Sequence, residues 1–180
     1  MDTALENLKY PIGRFIWPKE VSDEDVHHAI QTIKSFPGKM TGTVEKLEKG
    51  QIDTPYRPEG WTVRQLVHHV ADSHINPYVR FKLALTEDNP TIKPYDQTRW
   101  AALLDSQVVN PDISLSLITN IHTRWVIIME SMSDADWDRS FVHPEYKVTQ
   151  SLRQVLMMYS WHCDHHLAHI TSLIERMGWH

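Results

Sequence analysis

The sequence has one cysteine, no long apolar run and no cluster of basic residues, and each absence excludes a class of protein. The single cysteine, Cys163, cannot form a disulfide within the chain, so we expect a reducing, cytoplasmic environment. The longest apolar runs, such as residues 126–129, are far shorter than the roughly 20 residues that span a bilayer. Residues 1–9 also lack the apolar stretch of a signal peptide. We therefore expect no membrane partner.

The charge balance is mildly acidic and argues against a nucleic-acid partner. Lys and Arg number 18 against 23 Asp and Glu, giving a formal net charge of -5 with the 12 histidines neutral, and no basic stripe is present. Hydrophobic residues make up 41% and charged residues 23%, which is typical of globular proteins. A chain of 180 residues is long enough for a single core. We expect one soluble domain over residues 1–180.

Apolar residues recur at helical spacing in four long segments, which predicts an all-α four-helix bundle. Residues 1–21, rich in proline, glycine and aromatics, are expected to form an irregular N-terminal arm on the bundle. Pro37 is expected to kink or split the first helix, and a brief extended piece is expected around residues 141–143. Capping residues mark the predicted helix starts at Ser22, Thr62, Pro111 and Ser151.

The segment of residues 161–169, WHCDHHLAH, holds four histidines where the composition predicts fewer than one. His162 pairs with His166, and His165 pairs with His169, at the four-residue spacing that places side chains one above the other on a helix. Such a pair can present two imidazole nitrogens to one metal ion. The segment is therefore a candidate metal site.

Periodicity separates the two pairs. His162 and His166 interrupt the core-facing stripe of this helix, whereas His165 and His169 project nearer its flank. Two polar rings in a core stripe need partners, because each unpaired buried polar group costs about 1–3 kcal/mol. A metal ion supplies one kind of partner; hydrogen bonds to tyrosines or carboxylates supply another. Cys163 is interpreted as a packed residue. The stripe reads Leu152, Val155, Tyr159, His162, His166, Ile170 and Leu173.

A third ligand is needed, because catalytic zinc sites usually have three protein ligands and an open position. The second helix, WTVRQLVHHVADSH, offers three histidines. His69 lies at the edge of the buried stripe, His74 lies on the stripe itself, and His68 is expected on the solvated side. Spacing alone leaves His69 and His74 as competitors.

Three segments, GWTVRQLVHHVADSH (60–74), NPYVRFKLALTE (76–87) and YSWHCDHHLAHI (159–170), resemble the DinB-like superfamily of bacterial helix bundles. The similarity is strongest to its YfiT-type branch, which is described as metal-dependent hydrolases related to bacillithiol transferases. The resemblance implies a metal site made of His69, His162 and His166, which favours His69 over His74. It further implies one Zn²⁺ or Ni²⁺ ion per subunit and a homodimer.

Two reactions on a small-molecule substrate are compatible with such a site. The ion could activate water for hydrolysis of an amide or ester, or bind a low-molecular-weight thiol for S-transfer in the manner of a bacillithiol transferase. We predict a metal-dependent hydrolase; a thiol transferase and a non-catalytic, metal-stabilised dimeric binding module are the alternatives. No catalytic residue is assigned. Residues that could line a pocket or belong to the core are Trp61, Arg80, Tyr95 and Trp161.

Overall fold

The computed structural model describes residues 3–179; residues 1, 2 and 180, which belong to the predicted domain, lie outside the described part. Helices form most of this chain, and two short strands form a hairpin. In chain order the elements are α1 (Thr3–Lys9), α2 (Asp23–Val44), α3 (Lys49–Ile52), α4 (Val63–Thr86), α5 (Gln97–Ala101), α6 (Leu104–Val108), α7 (Pro111–Glu130), α8 (Asp134–Trp137), β1 (Ser140–His143), β2 (Val148–Ser151) and α9 (Leu152–Met177).

The four long helices, α2, α4, α7 and α9, enclose one core, which confirms the predicted all-α four-helix bundle. α2 packs against α7 and α9, and α4 packs against α7 and α9. The core is filled by large apolar side chains whose exposure is below 2%. They include Phe36, Leu66, Phe81, Ile118, Trp125, Met129, Leu156 and Ile170.

The two helices that carry the predicted ligands begin at the predicted capping boxes. The Gln65 N–H donates to Thr62 Oγ1 at 3.2 Å, and the Thr62 N–H donates in return to Gln65 Oε1 at 3.1 Å. Ser151 and Gln154 repeat this exchange at the start of α9. Gly178, in the left-handed conformation with φ of 64°, ends α9. Residues next to the helix ends therefore determine where both helices begin and where α9 ends.

Two prolines lie inside long helices that continue past them. Pro37 neither splits α2 nor ends it, so of the two predicted outcomes, a kink or a split, the split is wrong. Because proline has no amide hydrogen, the carbonyl of Ile33, four residues earlier, loses its helical hydrogen bond. Pro77 has the same effect on the carbonyl of Ser73 in α4. The free carbonyl of Ile33 becomes important for the histidine cluster.

The N-terminal arm and the hairpin lie against the bundle. The arm is only partly irregular, because α1 occupies its described beginning and a stretch with a turn but no helix or strand follows up to α2. β1 and β2 pair antiparallel, with Ser140 opposite Ser151 and His143 opposite Val148, and this hairpin includes the predicted extended piece. Among residues 3–179, no helix has both the length and the hydropathy needed to cross a bilayer.

Candidate metal centre

Three histidines from two helices converge inside the bundle. His69 comes from α4, and His162 and His166 come from consecutive turns of α9; one ring nitrogen of each lies within 4.8 Å of the other two. The Nε2 atoms of His162 and His166 are 3.0 Å apart. The structure thus brings together the three residues that were predicted as metal ligands. Their role as ligands stays a prediction.

Burial keeps these rings neutral. Desolvation lowers the pKa of His69 to about 4, and burial followed by repulsion from neighbouring histidines lowers the pKa of His162 and His166 well below the usual value. Each ring at neutral pH therefore has one nitrogen lone pair available to a cation.

The donor set fits a divalent ion of the zinc type. Two nitrogens that each bind such an ion at about 2.0–2.1 Å with tetrahedral angles stand roughly 3.4 Å apart. The 3.0 Å between the Nε2 atoms of His162 and His166 is close to this separation. Three neutral imidazoles are also the ligand type that zinc and nickel accept readily.

A hydrogen-bonded series of rings leads from the carbonyl of Ile33 towards this cluster. Because a carbonyl can only accept, His122 must carry its hydrogen on Nδ1, which donates to Ile33 O at 2.7 Å. Burial lowers the pKa of His122 to about 4, so the ring is neutral and its Nε2 has a lone pair. The orientation of this ring is thereby determined at both nitrogens.

The hydrogen-bonded series continues through His74 to His162. His74 Nδ1–H donates to His122 Nε2 at 2.6 Å, and His74 Nε2 accepts from His162 Nδ1–H at 3.0 Å. His162 Nε2 is then left without a hydrogen on the side that faces His166. His74, the competing ligand candidate, therefore lies behind His162 and orients it. Partners of this kind on the second ring nitrogen are typical of metal-binding histidines.

His68 occupies a different environment from the one expected. Only 6% of the residue is exposed, with Nδ1 2.7 Å from Ser114 Oγ and Nε2 3.1 Å from the Val109 carbonyl. The prediction that it faces solvent is wrong, because α6 and the start of α7 cover this side of α4. His68 is a structural residue that links α4 to α7.

Two other groups also bring ring nitrogens or sulfur within 4.8 Å of one another. In the core group, His74, His122 and Cys163, the facing ring nitrogens bond each other, and burial raises the pKa of the Cys163 thiol so that it stays protonated. As interpreted from the sequence, Cys163 is packed in the core. The core group is therefore a poorer cation site than the three converging histidines.

The arm group contains His165, His166 and His169. The Nε2 atoms of His165 and His169 lie 3.1 Å apart, and both residues are buried rather than lying on an open flank. The reason is long-range: the ring of Tyr10 lies 6.0 Å from that of His165, and the ring of Tyr56 lies 4.2 Å from that of His169. The arm group is covered by the N-terminal part of the chain.

A cavity of about 910 Å³ reaches the three-histidine cluster at His162. Ser73, which the sequence analysis did not nominate, lies beside it with Oγ 3.5 Å from His162 Nε2. Of the four pocket candidates, Arg80 and Tyr95 line the cavity. The other two pack on histidines instead: Trp61 lies 4.6 Å from the ring of His69, and Trp161 stacks 4.3 Å from the ring of His165.

Comparison with known proteins agrees with this architecture. The family model of the DinB superfamily matches residues 33–170. The chain belongs to the DinB superfamily. Among curated DinB relatives, "Putative metal-dependent hydrolase YfiT" of Bacillus subtilis is 46% identical over 173 residues, covering 96% of this chain and 97% of the relative. "Putative metal-dependent hydrolase BcerKBAB4_2443" of Bacillus mycoides is 47% identical over 175 residues, covering 97% and 100%.

Solved structures show the same fold. YfiT from Bacillus subtilis, described as a probable metal-dependent hydrolase with an unusual four-helix bundle topology, superposes with a TM-score of 0.94 over 97% of this chain and 99% of that one. A mycothiol-dependent maleylpyruvate isomerase, 19% identical, superposes with a TM-score of 0.65 over 81% of this chain and 60% of its own. The second likeness is one of fold alone.

Loss of one converging histidine should abolish stoichiometric metal binding. We expect the His166→Ala variant to retain less than a tenth of the wild-type zinc after gel filtration, because two imidazoles hold the ion too weakly. His68→Ala is the matched control, since both residues are 6% exposed and only His68 lies outside the cluster. Metal analysis and circular dichroism of both variants provide the measurement; equal metal loss would contradict the ligand assignment.

Interruption of the ring series should weaken metal binding without removing a ligand. We expect His122→Phe, which keeps an aromatic ring but neither nitrogen, to weaken zinc affinity by about 10- to 100-fold. His122→Gln retains one donor and one acceptor and should recover part of the loss. Competition with a chromogenic chelator measures affinity, and ¹⁵N NMR of labelled histidine reports whether His162 carries hydrogen on Nδ1. Unchanged affinity in His122→Phe would show that the series has no bearing on the metal.

Proposed function

We propose that this protein is a metal-dependent hydrolase that holds one divalent ion, zinc or nickel, through His69, His162 and His166. The observation that carries the proposal is the convergence of three neutral imidazoles beside an open cavity, which meets the cluster at His162. Among residues 3–179, no fourth histidine, cysteine or carboxylate belongs to this group. Such a site has a position free for water or substrate.

The absence of a fourth ligand in the described chain also favours an enzyme over a metal-stabilised binding module. A structural zinc site is normally closed by four protein ligands. Both residues that could close this one are otherwise engaged: His74 bonds His122 and His162, and His165 lies against His169. The relatives' names point the same way, since they describe metal-dependent hydrolases.

When bound, a divalent ion held by neutral imidazoles lowers the pKa of water at its open position towards about 7 and polarises an acyl oxygen. Side chains of the protein orient one of the proposed ligands and supply hydrogen-bond donors in the cavity. His162 is held with its Nε2 lone pair inward by the hydrogen bond that its Nδ1–H donates to His74. Burial raises the pKa of Tyr95 to about 12 and also raises that of Tyr159, so both cavity phenols stay protonated and can donate to a substrate oxygen.

A thiol S-transferase is the second candidate, because the same ion could hold a thiolate next to an electrophile. A cavity of about 910 Å³ has room for a low-molecular-weight thiol together with a second substrate. The homodimer implied by the family resemblance also stays a proposal. Exposed apolar side chains on α7, including Ile113, Leu117 and Ile127, are compatible with a subunit interface.

Activity assays with metal-stripped and reloaded protein test the proposal. Chromogenic esters and anilides report hydrolysis, and glutathione with 1-chloro-2,4-dinitrobenzene reports thiol conjugation. We expect chelation to abolish hydrolysis and one equivalent of Zn²⁺ or Ni²⁺ to restore it, with the reloaded His166→Ala variant as the inactive control. Conjugation without hydrolysis would favour the transferase, and turnover that survives chelation would contradict a metal-dependent reaction altogether.

A further inference from the structure

Arg80 places a positive charge in the cavity wall, and the described part of the chain offers it no ion-pair partner. Its residue exposure is 9%, its Nε is buried and has no hydrogen-bond partner, and it lines the cavity that reaches His162. None of the ion pairs among residues 3–179 includes it. A buried guanidinium without a partner is costly, which is why buried arginines are normally paired.

The cavity groups around Arg80 do not neutralise its charge. Burial raises the pKa of Tyr95 and Tyr159, so neither phenol becomes a phenolate at neutral pH. Burial, followed by the charge of Arg80, lowers the pKa of His143, which also lines the cavity and is therefore uncharged. Glu145 and Asp96 line the same cavity, but both lie more than 4.0 Å from the guanidinium, outside ion-pair distance, and Asp96 pairs with Arg99 instead. The positive charge is left for a ligand.

Arg80 and the metal centre lie along one face of α4. Ser73, beside His162, precedes Arg80 by seven residues, which is two helical turns and about 10 Å along the axis. Side chains of a helix lean towards its N-terminus, so a long side chain at position 80 extends back towards Ser73. Both residues line the same cavity. A small molecule in this cavity could therefore contact both the guanidinium of Arg80 and the region of Ser73 and His162.

We propose that Arg80 binds a carboxylate of the substrate, so that the substrates are short carboxylate-bearing esters or amides. This inference rests on the proposed hydrolase function and names its substrate class. A single planar guanidinium matches a carboxylate through two parallel hydrogen bonds, and the neutral phenols of Tyr95 and Tyr159 add donors without added charge. A phosphate dianion at this position would call for a second cationic side chain beside Arg80, and no other lysine or arginine of residues 3–179 lines the cavity.

The remaining wall suits the carbon chain of such a molecule. Phe15 and Trp17 from the arm and Met158 from α9 line the cavity with apolar surface. A carboxylate anchored at one end and an acyl group presented at the other would align the reacting bond with the metal centre. The spacing along α4 favours a linker of a few carbon atoms between the two groups.

Binding of two matched probes tests this inference. Monomethyl glutarate carries one carboxylate and one ester, whereas dimethyl glutarate is its neutral counterpart. Binding is measured by calorimetry or by intrinsic tryptophan fluorescence with the zinc-loaded protein, and again after chelation. We expect the wild type to bind the anionic probe at least tenfold more tightly than the neutral one in both states, because Arg80 acts independently of the ion.

Three variants sharpen the test. Arg80→Gln should lose the preference for the anion, and Arg80→Lys, which keeps charge but not the planar fork, should retain part of it. Lys82→Gln is the matched control, because it removes the same charge from the exposed side of α4 and should keep the preference. Metal content and thermal melting of each variant show whether the fold and the metal centre are intact.

The outcomes separate this inference from the proposed function. Anion binding by Arg80→Gln that equals the wild type, or no preference in the wild type, would overturn the role of Arg80, even if metal-dependent hydrolysis of neutral esters occurs. Tight, Arg80-dependent binding of the anion without hydrolysis of any ester would support the carboxylate site and contradict the hydrolase. Hydrolysis that selects the anionic ester in the wild type and not in Arg80→Gln would support both.

Discussion

Pro37 has no amide hydrogen, so the carbonyl of Ile33 in α2 has no helical partner and accepts a hydrogen bond from His122 instead. That single acceptor determines which nitrogen of His122 carries hydrogen. Through the ring-to-ring hydrogen bonds, it also determines which nitrogen carries hydrogen in His74 and in His162. Burial keeps all three rings neutral, which prevents the pattern from being lost by protonation at neutral pH. A proline in one helix thereby leaves a nitrogen lone pair on another helix facing the three-histidine cluster.

The cavity places two kinds of chemistry along α4. At one end, the cavity meets, at His162, the cluster of three imidazoles that we propose as the metal site. About three turns after His69 on α4, Arg80 lines the same cavity, where we propose that it binds an anion, and the neutral phenols of Tyr95 and Tyr159 are hydrogen-bond donors in the cavity wall. The fold provides this arrangement because α4 and α9 face each other across the cavity while the arm and the hairpin complete its walls. The two proposals thus assign reaction and substrate recognition to different residues around the same cavity.

Local sequence was sufficient for the bundle, the helix starts and the pair His162 and His166, because helical periodicity and capping boxes depend on residues only three or four positions apart. The burial of His68 and His165 could not be predicted, since segments distant in sequence cover them. His122 gave no local signal: it is a single histidine on an apolar helix, and its role depends on a carbonyl 89 residues earlier. The family resemblance, rather than periodicity, favoured His69 over His74.

Anomalous diffraction at the zinc absorption edge, from crystals of the full chain loaded with one equivalent of Zn²⁺, measures the position of the ion directly. We expect a single strong peak about 2.0–2.1 Å from one ring nitrogen of each of His69, His162 and His166, with its remaining coordination directed into the cavity. A peak in the arm group or the core group, or a fourth protein ligand closing the site, would contradict an open three-histidine centre.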